Sequence, residues 1–237
     1  MRVIINGAGI AGPALGLFLT RCGHEAVLVE KAPRLRTGGY VIDFWGAGYT
    51  VAEKMGILPE VRAAGYQVRE LRIVGDGGRK VGGFPFDVFH HLLKGRFTSL
   101  PRGELAAAIY RAIEGRVETL FGDSISAVHD EPGGVRVEFE HAAPREFDLV
   151  IGADGLHSRV RQLVFGPQDR FEVPLGYHVA AFNVAGYPRR DELVYVAHNK
   201  PGRQVARFSL RDGRTMFLFV FVSELLGGRE PGDPAQC

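Results

Sequence analysis

The chain has 237 residues, 46% hydrophobic and 24% charged, with 29 Lys and Arg against 27 Asp and Glu for a formal net charge of +2. This is the composition of an ordinary soluble globule of one large or two small domains, and its slight, scattered basic excess gives no ground for a nucleic-acid partner. Two cysteines without ligand-like spacing argue for a reduced, cytoplasmic setting and against a metal site, and the longest apolar run, Met216 to Val222, is too short to cross a bilayer.

Met1-Arg2 leads straight into an apolar strand, Val3-Ile4-Ile5, with no room for a charged and apolar leader. The strand runs into Asn6-Gly7-Ala8-Gly9-Ile10-Ala11-Gly12, a glycine spacing with a mechanism. Gly7 allows the tight turn, Gly9 lets backbone approach a pyrophosphate, and Gly12 lets the following helix pack closely. The phosphates would sit at that helix N-terminus, where free N–H groups and the dipole favour anions. Pro13 suits the first helical turn, Ala14, Leu15, Leu17, Phe18 and Leu19 supply the buried face, and Gly23 closes the helix. Strand two is Ala26 to Val29. Glu30 stands at its carboxyl end, about 20 residues past the glycines, the place of an acid that binds a ribose. An acid there repels a 2′-phosphate and selects FAD or NAD over NADP at this site.

A polar stretch with Pro33 and Arg36 follows, then Gly38-Gly39, the apolar Tyr40-Val41-Ile42, and Asp43. A helix is expected from Gly48 to Lys54, ending at Gly56. Leu71 to Val74, the glycine turn 75–78 and Lys80 to Phe84 read as a hairpin leaving the nucleotide fold. His90-His91, read in a strand, face opposite ways and cannot share a metal. The chain returns at Phe97 to Leu100, and Arg102 opens a helix from Glu104 to Ile113. Three short strands follow, Val117 to Leu120, Ile125 to His129 and Val135 to Glu140, the last with Val135, Val137 and Phe139 alternating against polar neighbours.

Asp148-Leu149-Val150-Ile151 then reads as a buried strand of the core sheet running into Gly152-Ala153-Asp154-Gly155, with a short helix after Ser158. Glycines flanking an acid at a strand end offer both backbone and carboxylate to a ligand. Two nucleotide-directed turns in one chain suggest a large, two-ended cofactor. From Phe171 the pattern becomes strand upon strand: Ala180 to Val184, Leu193 to Val196, Val205 to Leu210 and Thr215 to Val222. The stripe Phe217, Phe219, Phe221 reads as one face of a strand, core or pocket wall, and His178 and His198 as sheet histidines. His157 lies beside Asp154 in the turn.

The chain resembles the group A flavoprotein monooxygenases, the single-component FAD hydroxylases. The likeness is carried by the Gly7, Gly9, Gly12 run with Glu30, by Asp154-Gly155 with Ser158 and Arg161, and further by Gly38-Gly39 with Asp43 and by Arg102-Gly103-Glu104-Leu105. The resemblance implies an α/β fold: a Rossmann-like FAD-binding domain of the para-hydroxybenzoate hydroxylase type with an inserted, mostly β substrate domain. Residues 1–68 and 96–165 would form the first, 69–95 and 166–237 the second. It implies FAD held by Gly7, Gly9, Ile10, Ala11 and Gly12, with Glu30 on the ribose and Arg102 on the pyrophosphate. Asp154 and Gly155 would serve FAD and transiently bound NAD(P)H, and Arg36 and Asp43 would lie near the flavin or the nicotinamide phosphates.

In that class the hard chemistry belongs to the cofactor. The implied reaction is NAD(P)H-dependent hydroxylation of a hydrophobic, aromatic or polyketide-like small molecule through a flavin C4a-hydroperoxide, with no protein nucleophile and so no assigned catalytic side chain. Consistently, there is no Gly-x-Ser-x-Gly elbow, Walker A lysine or His-Glu-x-x-His. The family carries a third signature beginning Gly-Asp, and Gly232-Asp233-Pro234 is its only candidate here. The chain is therefore expected to cover roughly the first three fifths of such an enzyme, without the C-terminal part of the FAD domain. Two alternatives stay open: a flavin-dependent reductase or dehydrogenase on the same fold, and a non-catalytic remnant. Substrate identity and oligomeric state are not written in these residues.

Overall fold

The computed structural model describes residues 1–36 and 38–227. In chain order its elements begin β1 (Arg2–Asn6), α1 (Ala11–Arg21), β2 (Glu25–Glu30), β3 (Val41–Trp45), α2 (Gly46–Met55), α3 (Leu58–Ala64), β4 (Glu70–Val74), β5 (Lys80–Pro85) and α4 (Asp87–Leu92). They continue through β6 (Phe97–Pro101), α5 (Arg102–Arg111), β7 (Glu118–Phe121), β8 (Ile125–Glu131), β9 (Gly134–Phe139), β10 (Arg145–Phe147), β11 (Leu149–Gly152) and α6 (Arg159–Phe165). The last four strands are β12 (Tyr177–Val184), β13 (Val194–Lys200), β14 (Arg203–Ser209) and β15 (Thr215–Val222). The chain divides into two compact units.

The first unit comprises Met1–Gly38, Thr50–Ala64 and Arg102–Val173. Its centre is a four-stranded parallel sheet in the order β11-β1-β2-β7. Val3, Ile4 and Ile5 are at most 1% exposed, as expected for a parallel strand buried on both faces. α1 lies against this sheet with Gly16 facing it: a Cβ there would make ordinary contacts with Val117 and Ile5 at 3.7–3.9 Å. A three-stranded antiparallel sheet, β10-β9-β8, is the other layer. Ile4, Val27, Val29, Ile125, Val137, Phe139, Phe147 and Val160 form the core that the two sheets share with α6. The alternation Val135, Val137, Phe139 thus points where the sequence indicates.

The second unit comprises Gly39–Tyr49, Gly65–Pro101 and the described residues from Pro174 onward. Its six-stranded sheet runs β12-β15-β14-β13-β4-β5, antiparallel throughout except between β13 and β4. A separate two-stranded ribbon pairs β3 with β6. The core between them is aromatic: Tyr66, Val68, Phe86, Phe97, Phe208, Leu210 and Met216 are buried together, with Tyr195 packed against them. Tyr66 meets Phe208 edge-on at 5.1 Å, an arrangement aromatic quadrupoles favour.

Several sequence expectations shift. Residues 39–49, 65–68 and 96–101 group with the second unit: β3 and β6 pair with each other from Val41↔Pro101 to Trp45↔Phe97, and Tyr66 bridges to Ser99 of β6. Residues 166–173 stay with the first. Phe44 and Trp45 continue β3 beyond Asp43. His90 and His91 lie in α4, not in a strand, and among the described residues no group of three or more His, Cys, Asp or Glu could hold a metal. The Gly232-Asp233-Pro234 candidate lies outside the described residues. No described helix is long and apolar enough to cross a membrane.

Candidate cofactor-binding site

The glycine turn after β1 is shaped by close approaches that no side chain could share. Gly7 has φ +108°, and a Cβ on it would stand 2.6 Å from the Ala153 carbonyl oxygen. A Cβ on Gly12 would stand 2.0 Å from the Gly7 carbonyl oxygen and 3.3 Å from Ile5 Cγ2. These contacts seat the start of α1 directly over the end of β1. Gly9 is different: a Cβ there would meet only the Arg102 guanidinium, 3.9 Å away. The space above Gly9 is open on its other sides, with a cation at its rim.

α1 begins at Ala11 after Ile10, with no side-chain cap and no acidic residue in its first turn. Its leading N–H groups and positive dipole end are left for an outside acceptor. Arg102, first residue of α5, is exposed and has neither a hydrogen bond nor an ion pair among the described residues. A cation at a helix start is repelled by the dipole. An unpaired guanidinium there, beside an uncapped helix N-terminus, is what a bound phosphate would explain.

Glu30 closes the third side. Its Oε2 accepts from the Ala8 N–H at 2.9 Å and its Oε1 from the Ala32 N–H at 3.0 Å, so the carboxylate ties the glycine turn to the segment after β2. Arg36 reaches to 3.8 Å from the same carboxylate but is itself 75% exposed. Gly7, Gly9, Ile10, Ala11, Gly12, Glu30, Arg36 and Arg102 are therefore gathered about one end of β1 and β2.

The second turn resolves differently from the sequence expectation. The Asp154 carboxylate is not offered outward. Its Oδ2 accepts from Asn6 Nδ2 at 2.6 Å, from the Arg159 N–H at 2.7 Å and from the Val160 N–H at 3.2 Å, while its Oδ1 accepts from Ser158 Oγ at 2.5 Å. Ser158 also caps α6 by accepting from the Arg161 N–H at 3.0 Å. A carboxylate serving as the anion at its own helix start has little left for a ligand. Gly155 lies exposed, with φ +80° and open space around it. Asn6, 5% exposed and bonded to Asp154, is the residue that sequence reading passed over. Its only signal is a polar side chain closing an apolar strand.

Asp43 belongs to the second unit. Ser99 Oγ donates to its Oδ1 at 2.6 Å and Tyr195 Oη donates to the same atom at 3.1 Å. Burial first and the Asp43 carboxylate second push the Tyr195 phenol well above its ordinary ionisation range, so it remains a donor. The remaining polar network of that unit is structural in character. Asp191 bridges Arg207 and Arg72, and Arg72 and Lys80 hold the Glu70 carboxyl down to about 2. His198 Nδ1 bonds the Val74 carbonyl, His178 stacks on Phe221, and His157 meets Gln168. Phe217 and Phe219 are half-buried and stack with Phe182.

A parallel sheet carrying a glycine turn, an acid at the end of β2 and an arginine unpaired among the described residues, joined in one chain to a mostly β unit, is the arrangement seen in flavin-dependent oxidoreductase folds. Residues 1–233 match the FAD binding domain family, and the chain belongs to that family, that of the group A flavin-dependent monooxygenases. It is 41% identical over 194 residues to an uncharacterized protein of Mycobacterium tuberculosis, covering 80% of this chain and 51% of the relative. It is 30% identical over 197 residues to the FAD-dependent monooxygenase asL4 of Sarocladium schorii, covering 81% and 46%. The chain thus spans about half the length of the curated relatives it matches. Among solved structures, tetracycline destructase Tet(51) superposes with a TM-score of 0.78 at 26% identity, over 99% of this chain and 60% of that one. Klebsiella pneumoniae HpxO, solved with FAD and uric acid, shares the fold at a TM-score of 0.75 and 23% identity, over 93% and 56%.

Proposed function

We propose that this chain forms the FAD-holding and substrate-facing part of an NAD(P)H-dependent monooxygenase that acts on a hydrophobic, aromatic or polyketide-like small molecule. The observation that carries the reading is the open space above Gly9, bounded by the unpaired Arg102 guanidinium at 3.9 Å from a Cβ position and by the uncapped start of α1. That cradle fits a pyrophosphate. Gly7, Gly9, Ile10, Ala11 and Gly12 would bring backbone to it, Arg102 would neutralise it, and Glu30 would take the adenosine ribose while still restrained by Ala8 and Ala32.

When bound, FAD supplies the redox chemistry: it takes hydride from NAD(P)H and activates dioxygen for hydroxylation. The protein's own part is to bind, orient and shield. Asp154 is given the role of holding the second turn so that Gly155 and its neighbours present backbone to the cofactors, rather than of a direct carboxylate contact. Arg36 and Asp43 are assigned toward the flavin or the nicotinamide, on the resemblance. The reading carries with it a cytoplasmic setting and a small-molecule partner.

Calorimetric titration of the protein with FAD and with FMN tests the cofactor half. Binding of FAD with no comparable affinity for FMN is expected, because the pyrophosphate and ribose groups belong to the adenine side. Exclusive FMN binding would sink it. Oxygen uptake with stoichiometric hydroxylated product, measured on the chain together with the remainder found in its longer relatives, separates a monooxygenase from a reductase on the same fold.

A further inference from the structure

Asn6 is out of place as a strand residue. It closes β1 after Val3, Ile4 and Ile5, is only 5% exposed, and stands opposite Gly152 of β11. A buried amide costs free energy unless it is bonded, and an apolar residue would suit a parallel strand buried on both faces. The Asn6 Nδ2 is spent on Asp154 Oδ2 at 2.6 Å. Yet that carboxylate already has three donors at its own helix start, the Arg159 and Val160 N–H groups and Ser158 Oγ. What the fourth donor adds is a tie between two turns.

The backbone around Asn6 makes the same tie. The Ala153 N–H donates to the Asn6 carbonyl at 2.8 Å, and a Cβ on Gly7 would stand 2.6 Å from the Ala153 carbonyl oxygen and 2.9 Å from Asp154 Cα. The first turn thus lies directly against the second. On its other side it is held by β2, with the Gly7 N–H donating to the Val29 carbonyl at 2.7 Å and the Ala8 N–H to Glu30 Oε2 at 2.9 Å. Hydrogen bonds and chain neighbours therefore run unbroken from Glu30 through Ala8, Gly7, Asn6 and Asp154 to the first N–H groups of α6. In that path it is the Asn6 side chain that joins one turn to the other.

We propose that Asn6 is a positioning residue that couples the two turns: a cofactor seated on the first turn fixes the start of α6, and the second turn, held in place by Asn6, raises affinity at the first. The inference rests on the FAD reading above and deepens it, because the glycine turn with Glu30 and the Gly155 segment then act as one device and not as two independent contacts. Coupling of this kind is a free energy shared between two places and acts in both directions. Contiguity alone does not establish it, whereas a double-mutant cycle across the Asn6–Asp154 pair measures it.

Asn6→Asp keeps the shape of the side chain, removes its donor and sets two carboxylates against each other, while Asp154→Asn keeps an acceptor for the Asn6 amide. The double variant Asn6→Asp/Asp154→Asn restores a donor and an acceptor with the ends exchanged. FAD affinity by calorimetry and amide exchange with and without FAD are measured on the full chain. Asn6→Asp is expected to weaken FAD about tenfold or more and Asp154→Asn about threefold, with the double variant recovering to within about threefold of Asp154→Asn. In wild type FAD should slow exchange at Arg159 and Val160 as well as at Gly7 and Ala8, and in Asn6→Asp only at Gly7 and Ala8. Without FAD, Asn6→Asp should speed exchange at both turns together. An unchanged FAD affinity in Asn6→Asp, a double variant that binds no better than Asn6→Asp, or FAD protection confined to the first turn of wild type overturns the proposal. Should Asn6→Asp not fold, Asn6→Ala removes the donor without adding a charge; it should weaken FAD about threefold and confine protection to the first turn, and failure of either overturns the proposal equally. If wild type binds no FAD while Asn6→Asp speeds exchange at both turns, the tie between them stands and it is the cofactor reading that falls; a change at α6 alone would remove the tie as well.

Discussion

The two strand-to-helix turns of the first unit are built from the same parts and end in opposite states. After β1, the chain enters α1 with no acid in the first turn and no side-chain cap, and places an unpaired arginine nearby. After β11, it enters α6 with Asp154 accepting from the Arg159 and Val160 N–H groups and Ser158 capping the Arg161 N–H. The first helix start is left open to an external anion, whereas the second carries its own. Free backbone donors at a helix N-terminus are satisfied by side chains, water or a ligand, so the start of α1, without a side-chain cap, can take an external anion where the start of α6 cannot. A glycine-acid-glycine sequence does not say which state a turn will adopt. The destination of the carboxylate decides it, and that destination is set by Asn6, which lies 148 residues away in sequence and is bonded to Asp154 at 2.6 Å.

This contrast can be broken most directly at Asp154. Asp154→Ala strips the acceptor from a buried Asn6 amide and two backbone N–H groups, and it should lower the stability of the cofactor-free protein by about 3 kcal/mol, the scale of donors left unpaired next to a lost charge. Denaturant unfolding without FAD reads this, and an unchanged midpoint would mean that the carboxylate serves a ligand after all. The opposite pattern is expected at the first turn. Arg102→Ala should leave cofactor-free stability unchanged or slightly raised, while FAD affinity falls by about 1.5–3 kcal/mol, the range of a charge-assisted hydrogen bond. A loss of stability without FAD would make that arginine structural.

Gly155→Ala sharpens the comparison further. With φ +80° but open space about it, it should cost about 1 kcal/mol from left-handed strain alone. At Gly12 an added Cβ meets backbone at 2.0 Å, and Gly12→Ala should instead displace the start of α1, visible as lost amide protection there. The smallest effect is expected away from both turns. Glu70, held down to about 2 by hydrogen bonds from Arg72 and Lys80, is ionised in the folded chain where an unfolded glutamate, near 4.5, would take up a proton. Its stabilisation is complete above about pH 4.5 and fades as pH falls toward 2. The stability difference between wild type and Glu70→Gln should therefore be flat at neutral pH and shrink across that acid window. A difference that does not change with pH would show that the pairing with Arg72 carries no net free energy.

What the sequence by itself determined is local. The spacing of Gly7, Gly9 and Gly12 after a strand, the acid at the end of β2 and the alternation of Val135, Val137 and Phe139 are demands that backbone geometry makes on neighbouring residues, so they can be read from neighbours alone. Gly12 and Gly7 prove to be required by approaches of 2.0 and 2.6 Å from an added Cβ to backbone oxygens, whereas Gly9 leaves open space, and Glu30 stands where the period of the fold puts it. Only the tertiary structure decided where polar side chains point and which segments share a unit. Nothing near Phe97 signals that β6 pairs with β3, because strand pairing depends on which edge is free and not on either strand's own pattern. The turn of the Asp154 carboxylate toward Asn6, the approach of Arg102 to Gly9, and the meeting of Asp43 with Tyr195 across 152 residues of chain are long-range contacts. A hydrogen bond is specified by two ends at once, and a sequence read along one direction shows each end separately, with no record of the partner that folding brings to it.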